Sequence, residues 1–177
     1  MPDVKAHLES PNQSVRLKAA LEAGTYPKAE YIDVLVEQCA VEPDFFVRDT
    51  LTWALMRNEV PQVVDRLKSE LNSENPQAKS QALHTLTKIG EKQYYSLITH
   101  EHLFDSHDRA AVTAWRAASV LVPEDEKTTL TSILLTQLGR GDSDVQFDLT
   151  RFLCALGELS FDTSKNDFLA CHRFLLT

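Results

Sequence analysis

The stretch THEHLFDSHD, residues 99–108, holds the densest group of potential ligands in this 177-residue chain. His100, His102 and His107 lie there beside Glu101, Asp105 and Asp108. Imidazoles and carboxylates together suit zinc or another divalent ion. The spacing argues against it. A His-x-His pair on a helix turns its rings about 200° apart, and histidine at a helix end is favoured by the helix dipole alone. Solvated histidines and no metal are expected. The three cysteines, Cys39, Cys154 and Cys171, are far apart, odd in number and set in apolar stretches. That pattern fits reduced thiols in a cytoplasmic protein rather than a disulfide framework. No nucleophile elbow, P-loop, dinucleotide fingerprint or Cys-x-x-Cys pair is present, so no cofactor and no catalytic residue are predicted.

The elements that carry these residues follow one recurring phrase. EPDFFVRDTLTWAL, residues 42–55, sets an acid and a proline before Val47-Arg48, then places Leu51 and Leu55 at helical spacing. With the valine as position zero, the upstream match is Val15, Ala19 and Ala23. Downstream come Ala78, Ala82, Leu86 and Ile89, then Ala110, Ala114, Ala118 and Leu121, and finally Val145, Leu149, Leu153 and Leu156. Positions 0, +4, +8 and +11 fall within about 80° of a helix, one narrow apolar stripe. The phrase recurs every 31 to 35 residues, a period typical of stacked helical pairs. Every proline falls at a predicted helix boundary, where its missing N–H costs least. Asn75-Pro76 reads as a cap and first residue, while Gly24, Gly90 and Gly157 read as left-handed helix ends. Between the motif helices lie shorter amphipathic stretches, giving an outer helix, a turn and an inner helix per unit.

The Pro-x-x-x-Val-Arg phrase, followed by small and apolar residues, resembles the second helix of HEAT repeats over residues 3–157. The resemblance implies an all-α chain of a single domain spanning 1–177, a right-handed α-α superhelix of about five hairpins. The hairpins are approximately 3–24, 28–58, 61–90, 92–121 and 124–157, with a terminal helix at 164–177. It implies that the cation after the valine bonds across the turn and between repeats. Arg16, Arg48 and Lys79 would then be structural, with the ladder faltering in the last two repeats; an exposed cationic site is the competing reading.

In such arrays the second helices line the concave side, so positions +2, +6 and +9 carry the candidate binding residues. They include Asp49, Trp53, His84, Arg116 and Arg151, with Trp115 at the flank. Aromatic and arginine side chains suit recognition because they offer large contact area. The two tryptophans either meet a ligand or fill gaps between repeats. A non-catalytic scaffold for an unidentified protein partner is the favoured function. The alternative is a helical glycosylase that excises alkylated bases, with Asp49, Trp53, Trp115, Arg116 and Arg151 in the groove; its Trp-before-Asp order is not matched here.

The net charge of −8 opposes nucleic acid and anionic membranes. The acidity belongs mainly to the outer stretches, and the motif helices together are weakly positive. No apolar run approaches the ~18 residues of a spanning helix. In the tail, Phe168, Cys171, His172, Leu175 and Leu176 share a face, which implies either a cap or self-association through that helix.

Overall fold

The computed structural model describes residues 4–160, and over them the chain is all-α, with ten α-helices and three short 3-10 segments. The expected terminal helix at 164–177 lies outside the described residues. The helices are α1 (Val4–Leu8), α2 (Gln13–Thr25), α3 (Ile32–Val41), α4 (Phe45–Leu55) and α5 (Val60–Leu71). There follow α6 (Pro76–Ile89), α7 (His100–Leu103), α8 (Asp108–Leu121), α9 (Lys127–Leu135) and α10 (Ser143–Ser160). The five motif segments are α2, α4, α6, α8 and α10.

Short polar side chains start these helices by accepting otherwise orphaned N–H groups. Asn12 accepts from Ser14, Asp44 from Val47, and Asn75 from both Gln77 and Ala78. Asp142 accepts from Asp144 and Val145 at 3.1 Å. Pro61 and Pro76 stand in first turns. Gly90 ends α6 with φ of 72°, a left-handed conformation that favours glycine. Gly24 and Gly157 depart from expectation, because both lie inside their helices. Their absent side chain therefore serves something other than a helix end, and at Gly24 that is packing.

The apolar stripe faces inward. Val47, Leu51 and Leu55 of α4 are fully buried, as are Ala110, Ala114, Ala118 and Leu121 of α8. The stripe is wider than the motif, since Arg16, Ala20, Arg48, Thr52, Leu83 and Trp115 are buried as well. The cause is geometric: a motif helix has its own outer helix on one flank and the next motif helix on the other. Thus α2 packs on α4, α6 on α8 and α8 on α10, while α6 meets α4 lightly and leans on α3 and α5. The alanines of α8 allow its neighbours close approach, and Trp115 fills the remaining volume.

Charged groups repeat in step with the helices. Arg16 donates two hydrogen bonds to the carboxylate of Glu42, at 2.7 and 2.8 Å, and two more to the carbonyls of Ser10 and Pro11. Lys79 reaches Asp105 at 2.5 Å, across the same 26-residue separation. Each carboxylate also accepts the backbone N–H two residues on, Asp44 for Glu42 and His107 for Asp105. One acid thus ties the preceding motif helix to the start of the next. Between these rungs, Ser73 stands in the acid's place and accepts from Asn75, and Arg48 turns to the carbonyls of Glu42 and Pro43, both at 2.8 Å. Ala111 carries no charge, and there Arg140 from the following turn supplies the cation, bonding Asp108 at 2.9 Å and the carbonyl of Asp105.

Candidate partner-binding face

Position +9 of α2 and position +6 of α4 meet first. A β-carbon on Gly24 would lie 2.1 Å from Cζ3 of Trp53, so the indole is seated where the glycine leaves room. Trp53 keeps 40% of its surface exposed, and Met56, one turn further on, keeps the same fraction. Leu21, one turn before Gly24, is 46% exposed. Phe45 and Phe46 project from the start of α4 and meet edge to face at 5.7 Å. Leu21, Trp53 and Met56 thus gather exposed apolar surface about the Gly24 seat, and Phe45 with Phe46 forms a second exposed pair at the start of α4.

The row continues across the next seam. Asp49 lies one turn before Trp53 on α4, and its Oδ1 is 4.0 Å from Nε2 of His84 on α6. His84 is pushed below the usual histidine range, chiefly by burial, then by the charge of Lys88, with Arg116 adding to it and Asp49 opposing. The imidazole is therefore a neutral group between a carboxylate and two cations. Arg116, on α8, lays its guanidinium over Phe152 of α10 at 5.9 Å. Among the described residues no hydrogen bond or ion pair engages Arg116 or Lys88. At the far end, exposed Arg151 pairs with Asp148 at 3.3 Å and lies over Phe147 at 6.0 Å.

Gly24, Trp53, Asp49, His84, Arg116 and Phe152 thus lie on five motif helices, with side-chain contacts at Gly24–Trp53, Asp49–His84 and Arg116–Phe152 and the charge of Arg116 felt at His84. Trp115 does not join them. It is completely buried, donates from Nε1 to the carbonyl of Leu103 at 2.8 Å and carries Arg140 over its ring at 5.7 Å. Its position, +5, points into the next seam, and the base-excision reading thereby loses one of its five residues at the surface. Arg16, Arg48 and Lys79 are engaged in the inter-helix bonds described above. Sequence reasoning gave Glu42 no partner, weighed Asp105 only as a potential metal ligand, and passed over Lys88. The two acids were legible, because each stands two residues before a helix cap; Lys88 sits one place beyond the positions considered.

The histidines of residues 99–108 take separate places. His100 stacks on Phe104 at 4.1 Å, and His107 begins α8 with Nδ1 3.4 Å from Asp105. His102 is buried, its Nδ1 accepting from the Thr99 N–H at 2.9 Å and its Nε2 3.0 Å from the carbonyl of Leu71. They do not end an outer helix as expected; residues 100–103 form the short α7. Among the described residues no three potential ligands converge on a metal position. Between α3 and α5 lies a shallow hollow lined by Asp33, Asp65 and Arg66. Arg66 is already engaged there by Asp33, Ser69 and Glu70. Among the described residues no helix is long and apolar enough to cross a membrane.

No family model matches the chain, and no curated protein matches it. Among solved structures it is similar to the crystal structure of an engineered protein from the Northeast Structural Genomics Consortium, at 18% identity and a TM-score of 0.49. The match covers 89% of this chain and 79% of that one. A likeness of that degree carries no argument about function.

Proposed function

We propose that the chain is a non-catalytic scaffold for protein–protein interaction, built as a HEAT-like right-handed solenoid of about five helical hairpins with a terminal helix. The order of contacts supports the solenoid, since α2 packs on α4, α6 on α8 and α8 on α10, and α6 joins the preceding hairpin mainly through α3. Repeats that touch only their neighbours are the signature of that architecture. The function is carried by one observation: the row from Gly24 and Trp53 through Asp49 and His84 to Arg116, in which exposed aromatic surface shares a face with cations that hold no ion pair among the described residues. Exposed aromatic and arginine side chains concentrate binding energy at interfaces. A cytoplasmic location accords with the free cysteines, of which Cys39 has its thiol pushed up to about 12 by burial and is inert.

Affinity capture from an extract of the source cells tests the reading. Partner retained by the native chain should be lost with Trp53→Ala and kept with Lys68→Ala on α5. Capture that ignores Trp53→Ala contradicts the proposed face. Retention of a DNA duplex at low salt, with release of an alkylated base, would favour the glycosylase instead.

A further inference from the structure

We propose that the motif-helix wall takes an acidic amphipathic helix from its partner, with apolar residues against Trp53, Met56 and Leu21 and carboxylates against Lys88 and Arg116. This inference rests on the scaffold reading and specifies the partner's chemistry.

Three features of the wall select that occupant. The first is shape. Trp53 lies on the glycine of the neighbouring helix, so its ring is held in place before anything binds. A held aromatic loses little entropy on contact, which favours it as an anchor for an apolar side chain. Leu21 and Met56 extend the patch along both helices, and helix-in-groove recognition reads such patches as anchors one or two turns apart.

The second is charge. Among the row positions of the five motif helices, Asp49 is the lone acid, and it already faces His84 at 4.0 Å. Arg116 has an aromatic ring beneath it and no carboxylate, and Lys88 is exposed on the turn after His84. Several other cations, Lys5, Lys18, Arg57, Lys92 and Arg109, also stand without a carboxylate among the described residues, so it is the place of Lys88 and Arg116 on the α6 and α8 side of the row that matters. Arg16, Lys79, Arg66 and Arg140 are already held by Glu42, Asp105, Asp33 with Glu70, and Asp108. Two unmatched cations beside an apolar platform are complementary to a carboxylate-flanked apolar stripe.

The third is the fate of a basic competitor. The chain carries −8 overall, with the acids on the outer helices. A basic segment is drawn to that surface, and on the wall it meets Lys88 and Arg116, where like-charge contact costs affinity. Distant acids are screened beyond about 8 Å at physiological salt, so the local cations govern an acidic segment once it arrives.

A displayed library of 16-residue amphipathic helices tests this. All members share one leucine stripe, and their flanking residues vary from glutamate to lysine. The full chain should enrich glutamate-flanked members over lysine-flanked ones by about tenfold. The enrichment should vanish with Trp53→Ala. The preference should invert with Lys88→Glu/Arg116→Glu, whose two sites hold no hydrogen bond or ion pair among the described residues; only the contact of Arg116 with the Phe152 ring is given up. Enrichment that is indifferent to charge, favours lysine, or survives the double reversal overturns the proposal; so does no enrichment at all. Synthetic vesicles containing phosphatidylserine and a single-stranded oligonucleotide form the other arms, and Arg116-dependent binding to either at equal strength also overturns it. Should the acidic helices fail while a protein from the extract is still lost with Trp53→Ala, the scaffold reading stands and this partner chemistry falls.

Discussion

Cζ3 of Trp53 lies 2.1 Å from where a β-carbon on Gly24 would stand, so glycine and indole are a matched pair across the α2–α4 seam. Gly24→Ala must push the ring off its seat. Overpacking of this kind costs about 1–3 kcal/mol, and emission from Trp53 should shift to the red as the ring enters water. Trp115, sealed in the core, supplies a constant background. Adding Trp53→Leu to Gly24→Ala should restore most of the lost stability, because both sites share one volume. Thermal melts of the four proteins check this; simply additive losses would contradict the pairing.

Glu42 is wholly buried and holds the Arg16 guanidinium by two bonds. Glu42→Gln leaves that cation in the interior without its counter-charge. The expected loss is about 3–5 kcal/mol, the usual result of breaking one side of a buried pair. Lys68→Ala, which breaks the exposed pair with Asp65, should change stability by less than about 1 kcal/mol. Urea titrations of the two variants separate these outcomes.

Acid should unfold the chain through the same rungs. Burial alone would raise the carboxyls of Glu42 and Asp105. Bonds from Arg16, the Asp44 N–H and Gln38 outweigh it at the first, and bonds from Lys79 and His107 outweigh it at the second. Both carboxyls are therefore held below the usual carboxylate range, and their stabilisation is fully present above the unfolded values of about 4. It disappears as pH falls from there through the lowered folded values. The midpoint of thermal unfolding should drop steeply below about pH 4, and Asp105→Asn should flatten part of that slope.

His84 provides a pH readout on the binding face itself. Its folded value lies below the unfolded one of about 6.5. Acidification through that range therefore protonates the unfolded chain first and lowers stability until the folded imidazole also takes its proton. Asp49→Asn removes the group that opposes the shift and should move the imidazole resonance titration further down. Arg116→Glu should move it up. Unchanged titration in both would mean that the row is not electrostatically connected.

Much of this architecture was legible in the sequence because a helical stripe and its caps are local properties. Val47, Leu51 and Leu55 declare α4, and Asn75-Pro76 declares the start of α6, with no reference to the rest of the molecule. What escaped was relational. Gly24 reads as a helix end, since nothing in its own segment reveals an indole arriving from residue 53. Trp115 reads as a surface candidate because position +5 is buried only when a following helix exists to cover it. Lys79 and Asp105 pair across 26 residues, a distance at which only the repeat period connects them. The candidate row was partly legible for the same reason: the period places Asp49, Trp53, His84 and Arg116 in line, while the contacts of Trp53 with Gly24 and of Asp49 with His84 belong to the packing.

The stacking of successive hairpins is the claim on which the open wall depends, and one distance tests it. Spin labels at Lys18 on α2 and Arg151 on α10, with Cys154 and Cys171 replaced by serine, span the first and last motif helices. Neighbouring helices pack about 8–10 Å apart, so four steps along a curved stack predict a distance distribution centred at roughly 30–40 Å. A distribution centred below about 20 Å, the separation expected when both helices share one central bundle, would contradict the account.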